Sequence, residues 1–258
     1  MLEKINVQDI VALAKKAGEA IMGIYNKDFE VEFKGDNSPL TDADKAAHNI
    51  IEHGLKELDK KNSTAIPLMS EEGKKIPYED RKDWDYFWMV DPVDGTKEFV
   101  KKNGEFTVNI ALISNGVPVL GVVYAPALGQ MYWAKQGEGA YKDGQLLPLK
   151  RSVQRKAYKV VASRSHMSDE TKQFIDDIET DKDKELVSIG SSLKLCLVAE
   201  GEADIYPRLG PTMEWDTAAA HAVVLYAGMN VCEINNGAIT KQLVYNKHNL
   251  LNPFFIVS

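Results

Sequence analysis

One short acidic segment carries the residues best suited to chemistry. Asp91 ends an apolar run, and Asp94 follows three residues later, so a turn can place the two carboxylates beside the Val93 carbonyl. Such hard oxygen donors suit Mg²⁺. Gly95 permits close backbone approach, and the Thr96 hydroxyl can orient a water or bind a phosphate oxygen. An acidic turn on a solvated surface would look the same, so this segment alone decides nothing.

Three further acidic segments could add carboxylates to the same site. Glu71 and Glu72 follow the apolar run 65–69, so Glu71 can emerge at a strand end. Asp216 and Asp44 each lie near the start of a predicted helix. Each position also has a simpler explanation, because Asp caps helices and favours their N-terminal dipole, and glutamates are common in charged loops. A cation site therefore requires that the segments converge.

Hydrophobic periodicity predicts the elements that would position these segments. Asn115-Gly116 is a strong hairpin signal between two apolar strands. Alternation of strands and helices after residue 157 favours sheets covered by helices. The expected helices cover about 7–25, 41–58, 169–178, 192–200 and 215–227, and the expected strands cover about 29–34, 86–90, 107–113, 119–124, 159–162, 186–189, 204–206 and 229–234.

The polar, basic stretch 150–159 is a candidate boundary between two αβ halves. The N-terminal domain, residues 1–152, would carry most of the metal ligands. The C-terminal domain, residues 153–258, would carry Asp216 and the residues that select the substrate.

Composition restricts the partners. The 258 residues carry a net charge of −7, which argues against a nucleic-acid polymer but allows a small anionic substrate held by cations. No apolar run approaches the roughly 18 residues of a membrane span, and the first residues lack the layout of a signal peptide. Cys196 and Cys232 are expected as free thiols in a reducing cytosol, although a disulfide between them is an alternative. We therefore expect a cytoplasmic protein.

Four ordered motifs resemble the inositol monophosphatase superfamily. They are Ser-Pro-Leu-Thr-Asp-Ala-Asp (38–44), Ser-Glu-Glu (70–72), Asp-Pro-Val-Asp-Gly-Thr-Lys-Glu-Phe (91–99) and Trp-Asp-Thr-Ala-Ala (215–219). The Lys-Glu-Phe extension and the segments 104–109, 163–166, 190–194 and 206–208 resemble its 3′(2′),5′-bisphosphate nucleotidase branch. The resemblance implies an α+β fold, a layered αβαβα sandwich.

The resemblance also implies a metal centre with two or more Mg²⁺ ions. Glu71, Asp91 and the Val93 carbonyl would bind one ion, and Asp91, Asp94 and Asp216 the second, with Asp91 bridging. Two close metals can hold both the attacking and the leaving oxygen of a displacement. Inhibition by Li⁺ is a further implication.

Catalytic roles follow from the same resemblance. Thr96 and Asp44 would orient the attacking water and receive its proton, and Glu72 would assist. The amides of Gly95 and Thr96 would hold phosphate oxygens.

The substrate-binding residues implied by the resemblance lie mainly in the C-terminal half. His166, Ser191, Lys194 and Arg208, with Arg164 as a further candidate, would bind the nucleotide and its retained phosphate. From the residues alone, Lys194 is equally a helix-surface lysine, and His166 and Arg164 are equally a polar turn. Residues of the metal centre would also touch the substrate: Glu71, Val93, Asp94, Gly95, Thr96 and Asp216.

The expected reaction removes the 3′-phosphate of adenosine 3′,5′-bisphosphate (PAP), leaving AMP, with activity on its sulfated analogue PAPS as an extension. A first alternative is an inositol monophosphatase or another sugar-phosphate phosphatase. A second is a metal-binding protein without activity. The expected partner is a small bisphosphonucleotide, and the expected state is a monomer or weak homodimer.

Overall fold

The computed structural model describes residues 1–26, 31–33, 39–150, 156–162, 167–235 and 237–258, with backbone only for 31–33 and 39–41. Within these ranges the helices are α1 (Val7–Tyr25), α2 (Asp42–Asn62), α3 (Tyr78–Arg81), α4 (Thr96–Val100), α5 (Asp169–Asp176), α6 (Leu193–Ala199) and α7 (Glu214–Tyr226), after a 3₁₀ turn at Leu2–Lys4. The strands are β1 (Val31–Phe33), β2 (Pro39–Thr41), β3 (Leu68–Ser70), β4 (Tyr86–Asp94), β5 (Thr107–Ser114), β6 (Val117–Ala125), β7 (Gln130–Lys135), β8 (Gly139–Lys142), β9 (Gln145–Leu146), β10 (Ala157–Val161), β11 (Asp183–Val187), β12 (Tyr206–Arg208), β13 (Val231–Asn235), β14 (Ala238–Gln242) and β15 (Phe255–Val257).

A seven-stranded sheet in the order β3-β4-β5-β6-β7-β8-β9 forms the centre of the molecule. Strand β3 runs parallel to β4, with Ser70 opposite Val90, and the remaining neighbours are antiparallel. Because the carboxyl ends of parallel strands meet at one edge, β3 and β4 deliver the residues after Ser70 and Val90 to the same place.

Alternating side chains on the central strands supply two apolar faces. Trp88 and Val90 belong to the core shared with α1 and α2, whereas Phe87 and Met89 belong to the core shared with α6 and α7. Helix α7 lies so close to β6 that only glycine fits at residue 121: a Cβ there would overlap the carbonyl oxygen of Ala219.

A second sheet, β12-β15-β13-β14, packs on the far side of α6 and α7. Its outer face forms a third core in which Ile256 of β15 meets Ile175 of α5 and Val160 of β10. The order from one side to the other is helices, sheet, helices, sheet, helix. The predicted αβαβα sandwich is confirmed.

Several predicted elements are confirmed in place. Helix α1 covers residues 7–25, and the hairpin turn between β5 and β6 places Asn115 at φ 49° and Gly116 at φ 77°. Helix α2 begins at Asp42 rather than Thr41, because Thr41 ends β2. Strand β4 continues past Pro92 to Asp94, with its register shifted between Asp91 and Asp94 instead of ending.

Two strands of the C-terminal half are shifted, and strands in both halves were not predicted. Strand β11 ends at Val187 and β12 begins at Tyr206, so the expected ranges 186–189 and 204–206 were displaced. Strands β7, β8, β9, β14 and β15 are additional. The proposed boundary falls partly on 151–155, outside the described residues. The core that contains Met89 also contains Val223, so apolar packing joins both halves. The division at residue 152 stays a prediction.

The two cysteines are free thiols, with Cys196 buried and Cys232 half-buried. Of the helices in the described ranges, none combines the length and the apolar character needed to cross a bilayer.

Candidate active site

Three carboxylates from three separate elements converge at the edge where β3 and β4 end. Oxygen atoms of Glu71, Asp91 and Asp216 lie within 4.8 Å of one another. Glu71 follows β3, and its amide donates to the Val90 carbonyl at 3.1 Å. Asp91 lies in the β4 bulge and is 1% exposed, and Asp216 lies in the first turn of α7. The convergence that sequence reasoning required is therefore present for these three residues.

Local hydrogen bonds hold two of these carboxylates in place. Asp91 Oδ1 accepts from its neighbour's amide, Val93 N, at 3.1 Å. Asp216 Oδ2 accepts from the Met213 amide at 2.8 Å, the bond that the third residue of a helix makes with the N-cap amide in a capping box. Asp216 therefore caps its helix and also faces the other acids.

Asp94 lies beside this group, but it is not among the residues whose oxygen atoms all lie within 4.8 Å of one another. Its Oδ2 accepts from the Ser192 amide at 2.6 Å, so the carboxylate is turned toward the start of α6. The Ser192 hydroxyl in turn donates to Asn109 Oδ1 at 2.9 Å and bonds Thr107 Oγ1 at 2.9 Å.

Burial and mutual repulsion raise the pKa values of Asp91, Asp94 and Asp216. Burial, then Glu71 and Asp94, raise the pKa of Asp91 well above its ordinary value. Burial raises the pKa of Asp94 to about 6 against the opposing effect of Lys194, and burial plus the charge of Asp94 raise that of Asp216 to about 8. A divalent cation would remove this repulsion, so the donor set fits a hard metal ion.

The predicted water-orienting residues flank the carboxylates. Asp44 is 2% exposed in the first turn of α2, and its charge contributes to the raised pKa of Asp91. The Thr96 hydroxyl donates to the Val93 carbonyl at 3.4 Å. Gly95 has φ 91°, a left-handed conformation that favours glycine.

A cavity of about 370 Å³ opens beside the carboxylates. Asp94, Gly95 and Asp216 line it, as do Lys194 and Arg208, the basic wall of the cavity. Lys194 is thus a cavity residue and not the helix-surface lysine that periodicity alone allowed.

Lys194 and Arg208 are two of the basic residues that line this cavity, and each donates to a backbone carbonyl. Lys194 Nζ donates to the Ile189 carbonyl at 3.5 Å, and burial lowers its pKa. Arg208 Nη2 donates to the Pro211 carbonyl at 2.8 Å. Among the buried side-chain atoms of the described residues, Arg208 Nε has no hydrogen-bond partner.

Ser191 also lines the cavity, but its hydroxyl has backbone partners. It bonds the carbonyls of Asp94 at 2.9 Å and Glu105 at 2.6 Å. Ser191 adopts φ 53°, and Gly190 donates its amide to Glu105 Oε2 at 2.8 Å. The segment 190–192 is therefore clamped onto the loops that carry Asp94 and Glu105.

The remaining predicted residues fall elsewhere. Glu72 lines a second cavity of about 920 Å³, which Glu71 and Trp215 also line. Arg164 and His166 lie outside the described residues.

Sequence reasoning missed Glu214 as a residue that supports the site. Its side chain is fully buried and accepts from the amides of Asn246 at 2.7 Å and Lys247 at 3.0 Å. Lys247 Nζ also pairs with it at 2.7 Å. A charged residue two positions before Asp216 was the available signal, but its burial depends on a segment more than thirty residues away.

Comparison with known proteins gives a consistent picture. The model of the inositol monophosphatase family matches residues 2–253. The chain is 46% identical to the 3′(2′),5′-bisphosphate nucleotidase CysQ of Shigella flexneri over 255 residues, covering 98% of this chain and 99% of that protein. It is 32% identical to the CysQ of Haemophilus influenzae over 262 residues, covering 97% and 91% of the two chains.

Solved structures agree. The crystal structure of CysQ from Bacteroides thetaiotaomicron has a TM-score of 0.86 and 46% identity, covering 98% of this chain and 96% of that one. An IMPase of Thermotoga maritima has a TM-score of 0.73 and 27% identity, covering 96% and 89%. The chain belongs to the inositol monophosphatase family.

Proposed function

We propose that this protein is a magnesium-dependent 3′(2′),5′-bisphosphate nucleotidase that converts PAP to AMP and phosphate. The observation that carries the proposal is the convergence of Glu71, Asp91 and Asp216 beside a cavity lined by Lys194 and Arg208. Full-length similarity to CysQ nucleotidases supports the same reaction. PAPS is proposed as a second substrate.

The acidic residues are proposed to bind two Mg²⁺ ions. Glu71, Asp91 and the Val93 carbonyl would hold one Mg²⁺, and Asp91, Asp94 and Asp216 a second. When bound, the ions supply positive charge that lowers the pKa of a coordinated water and balances the charge of the phosphate. The raised pKa values of Asp91, Asp94 and Asp216 support this assignment, because acids that repel one another gain from a shared cation.

The neighbouring groups would orient the attack. The Thr96 hydroxyl holds the water and the Asp44 carboxylate accepts its proton, with Glu72 assisting from the adjoining turn. Water adds to phosphorus, the bond from phosphorus to the ribose 3′-oxygen breaks, and that oxygen leaves as a hydroxyl after protonation by solvent. The amides of Gly95 and Thr96 would bind phosphate oxygens.

The basic wall of the cavity would bind the phosphate that is retained. A buried donor without a partner costs free energy, so an anion beside Arg208 Nε would satisfy it. Lys194 lies in the same wall. Arg164, His166 and Ser191 are proposed to contact the nucleotide as well. The cytoplasmic location and the monomeric or weakly dimeric state stay predictions.

Phosphate release from purified protein in defined Mg²⁺ tests the proposal. We expect kcat/KM for PAP to exceed that for inositol 1-phosphate, and activity to disappear in EDTA. A preference for inositol phosphate would refute the nucleotide assignment, and absence of any phosphatase activity would refute the enzyme.

A variant of the basic wall tests the retained-phosphate role separately. Lys194→Met should raise KM for PAP by about 10- to 100-fold, the value of one charge-assisted hydrogen bond, but change KM for adenosine 3′-phosphate little. The exposed Lys60→Met is the control. Equal effects on both substrates would assign Lys194 a role other than binding the 5′-phosphate.

A further inference from the structure

A histidine on α2 contacts the residue that precedes a proposed metal ligand. His48 Nδ1 and Ser70 Oγ are hydrogen-bonded at 2.9 Å, although the residues are 22 positions apart. Ser70 is the last residue of β3 and is 7% exposed. Glu71 is the next residue. No role for His48 follows from the four acidic motifs, because it lies outside all of them.

His48 also lies one helical turn after Asp44. Residues four apart share one face of a helix, so the face of α2 that carries Asp44 is the face that reaches β3. The charge of Asp44 contributes to the raised pKa of Asp91 in β4. His48 is hydrogen-bonded to Ser70 in β3, the strand beside β4. One helix face therefore contacts the end of β3 and carries a charge that acts on Asp91 of β4.

The turn that carries Glu71 has backbone anchors on both sides. The Glu71 amide donates to the Val90 carbonyl at 3.1 Å, and the Gly73 amide donates to the Ser70 carbonyl at 3.0 Å. These bonds fix the path of the chain but not its distance from α2. The bond between His48 and the Ser70 side chain ties this turn to the helix bearing Asp44.

We infer that His48 is a positioning residue: through Ser70 it holds Glu71 against the other carboxylates and in register with Asp44. The inference rests on the proposed function, because it assigns Glu71 to a metal ion. Partners that orient metal ligands from behind typically change metal affinity by about 10- to 100-fold when removed. His48 itself touches neither substrate nor metal in this scheme.

Magnesium affinity measured by calorimetry tests the inference without relying on turnover. His48→Ala and Ser70→Ala should each raise the Kd for Mg²⁺ by about tenfold or more. The double variant should be no worse than either single one, because both remove the same bond. His48→Asn, whose amide can still reach Ser70, should restore most of the affinity. His53→Ala, an exposed position on the same helix, is the matched control.

The outcomes separate the two proposals. Wild-type protein that binds no Mg²⁺ refutes the proposed function itself. Wild-type protein that binds Mg²⁺, with Kd values for His48→Ala and Ser70→Ala within twofold of it, overturns the role of His48. Melting temperatures in EDTA identify a variant that is only unstable, and if His48→Ala does not fold, Ser70→Ala and His48→Asn decide.

Discussion

The backbone amide of Ser192 donates a 2.6 Å hydrogen bond to Oδ2 of Asp94, a residue 98 positions earlier in the chain. The Ser191 hydroxyl adds bonds to the carbonyls of Asp94 and Glu105, and Gly190 bonds the Glu105 carboxylate. The start of α6 and the turn after β4 are thereby fixed to each other, which places the cavity beside the acidic residues.

Gly190→Ala should disrupt this junction. A Cβ at residue 190 would lie 2.7 Å from the Glu105 carbonyl oxygen and 2.8 Å from Glu98 Cγ, so the segment must move. We expect a loss of about 1–3 kcal/mol in the free energy of unfolding, as for other overpacked sites, together with a higher KM. Gly23→Ala is the control, because nothing lies within 4 Å of its Cβ. Denaturant unfolding and steady-state kinetics measure both effects, and equal behaviour of the two variants would contradict the clamp.

Asp91→Asn should abolish turnover while leaving the fold intact. Asn keeps the oxygen that accepts from the Val93 amide but removes a buried charge that faces other carboxylates. We expect kcat to fall by at least about a hundredfold, as when a group essential to transition-state charge is lost. The melting temperature in EDTA should not decrease. Retained activity would remove Asp91 from the metal centre, and a collapsed fold would show that the carboxylate is structural.

Mg²⁺ should stabilise the protein more strongly as pH rises. Burial raises the pKa of Asp94 from 3.8 to about 6 and that of Asp216 from 3.8 to about 8. In the absence of metal the folded state therefore binds protons more tightly than the unfolded chain, so these groups stabilise most at low pH and their contribution falls as pH rises toward about 8. Metal binding replaces those protons.

Melting temperatures in EDTA and in Mg²⁺, compared between about pH 4 and pH 8, check whether stabilisation by Mg²⁺ increases with pH. The Mg²⁺-induced rise in Tm should be larger at the alkaline end, and Asp216→Asn should reduce that pH dependence. A rise that is independent of pH would show that these carboxyls do not exchange protons for metal.

Glu214→Gln should weaken both the fold and the metal centre. Glu214 is fully buried and binds Lys247 Nζ and two backbone amides, so removing its charge leaves the half-buried Lys247 ammonium without its carboxylate. We expect a loss of about 3–5 kcal/mol, as when one partner of a buried ion pair is removed. Mg²⁺ affinity should fall too, because Asp216 lies on the same helix turn. Glu57→Gln, in an exposed pair with Lys60, should change neither quantity.

The sequence itself determined the elements whose signals are local. The apolar spacing of α1 and the Asn115-Gly116 turn depend on residues a few positions apart, and both appear where they were expected. The same holds for the strand that delivers Asp91, except at its end. Pro92 cannot donate to a ladder, yet β4 absorbs it as a bulge and resumes at Asp94, because β5 continues alongside.

The four acidic motifs predicted a common site, but only the tertiary structure decided how its members are oriented. Asp94 turns toward the Ser192 amide, Lys194 faces a cavity instead of solvent, and Ser191 bonds two carbonyls. His48 and Glu214 gained their partners from strands and loops that sequence spacing does not relate to them. Residue types and hydrophobic periodicity predict a helix or a strand from residues that are close together in the sequence. Which groups meet across tens of residues depends on how sheet register and helix packing bring distant backbone together.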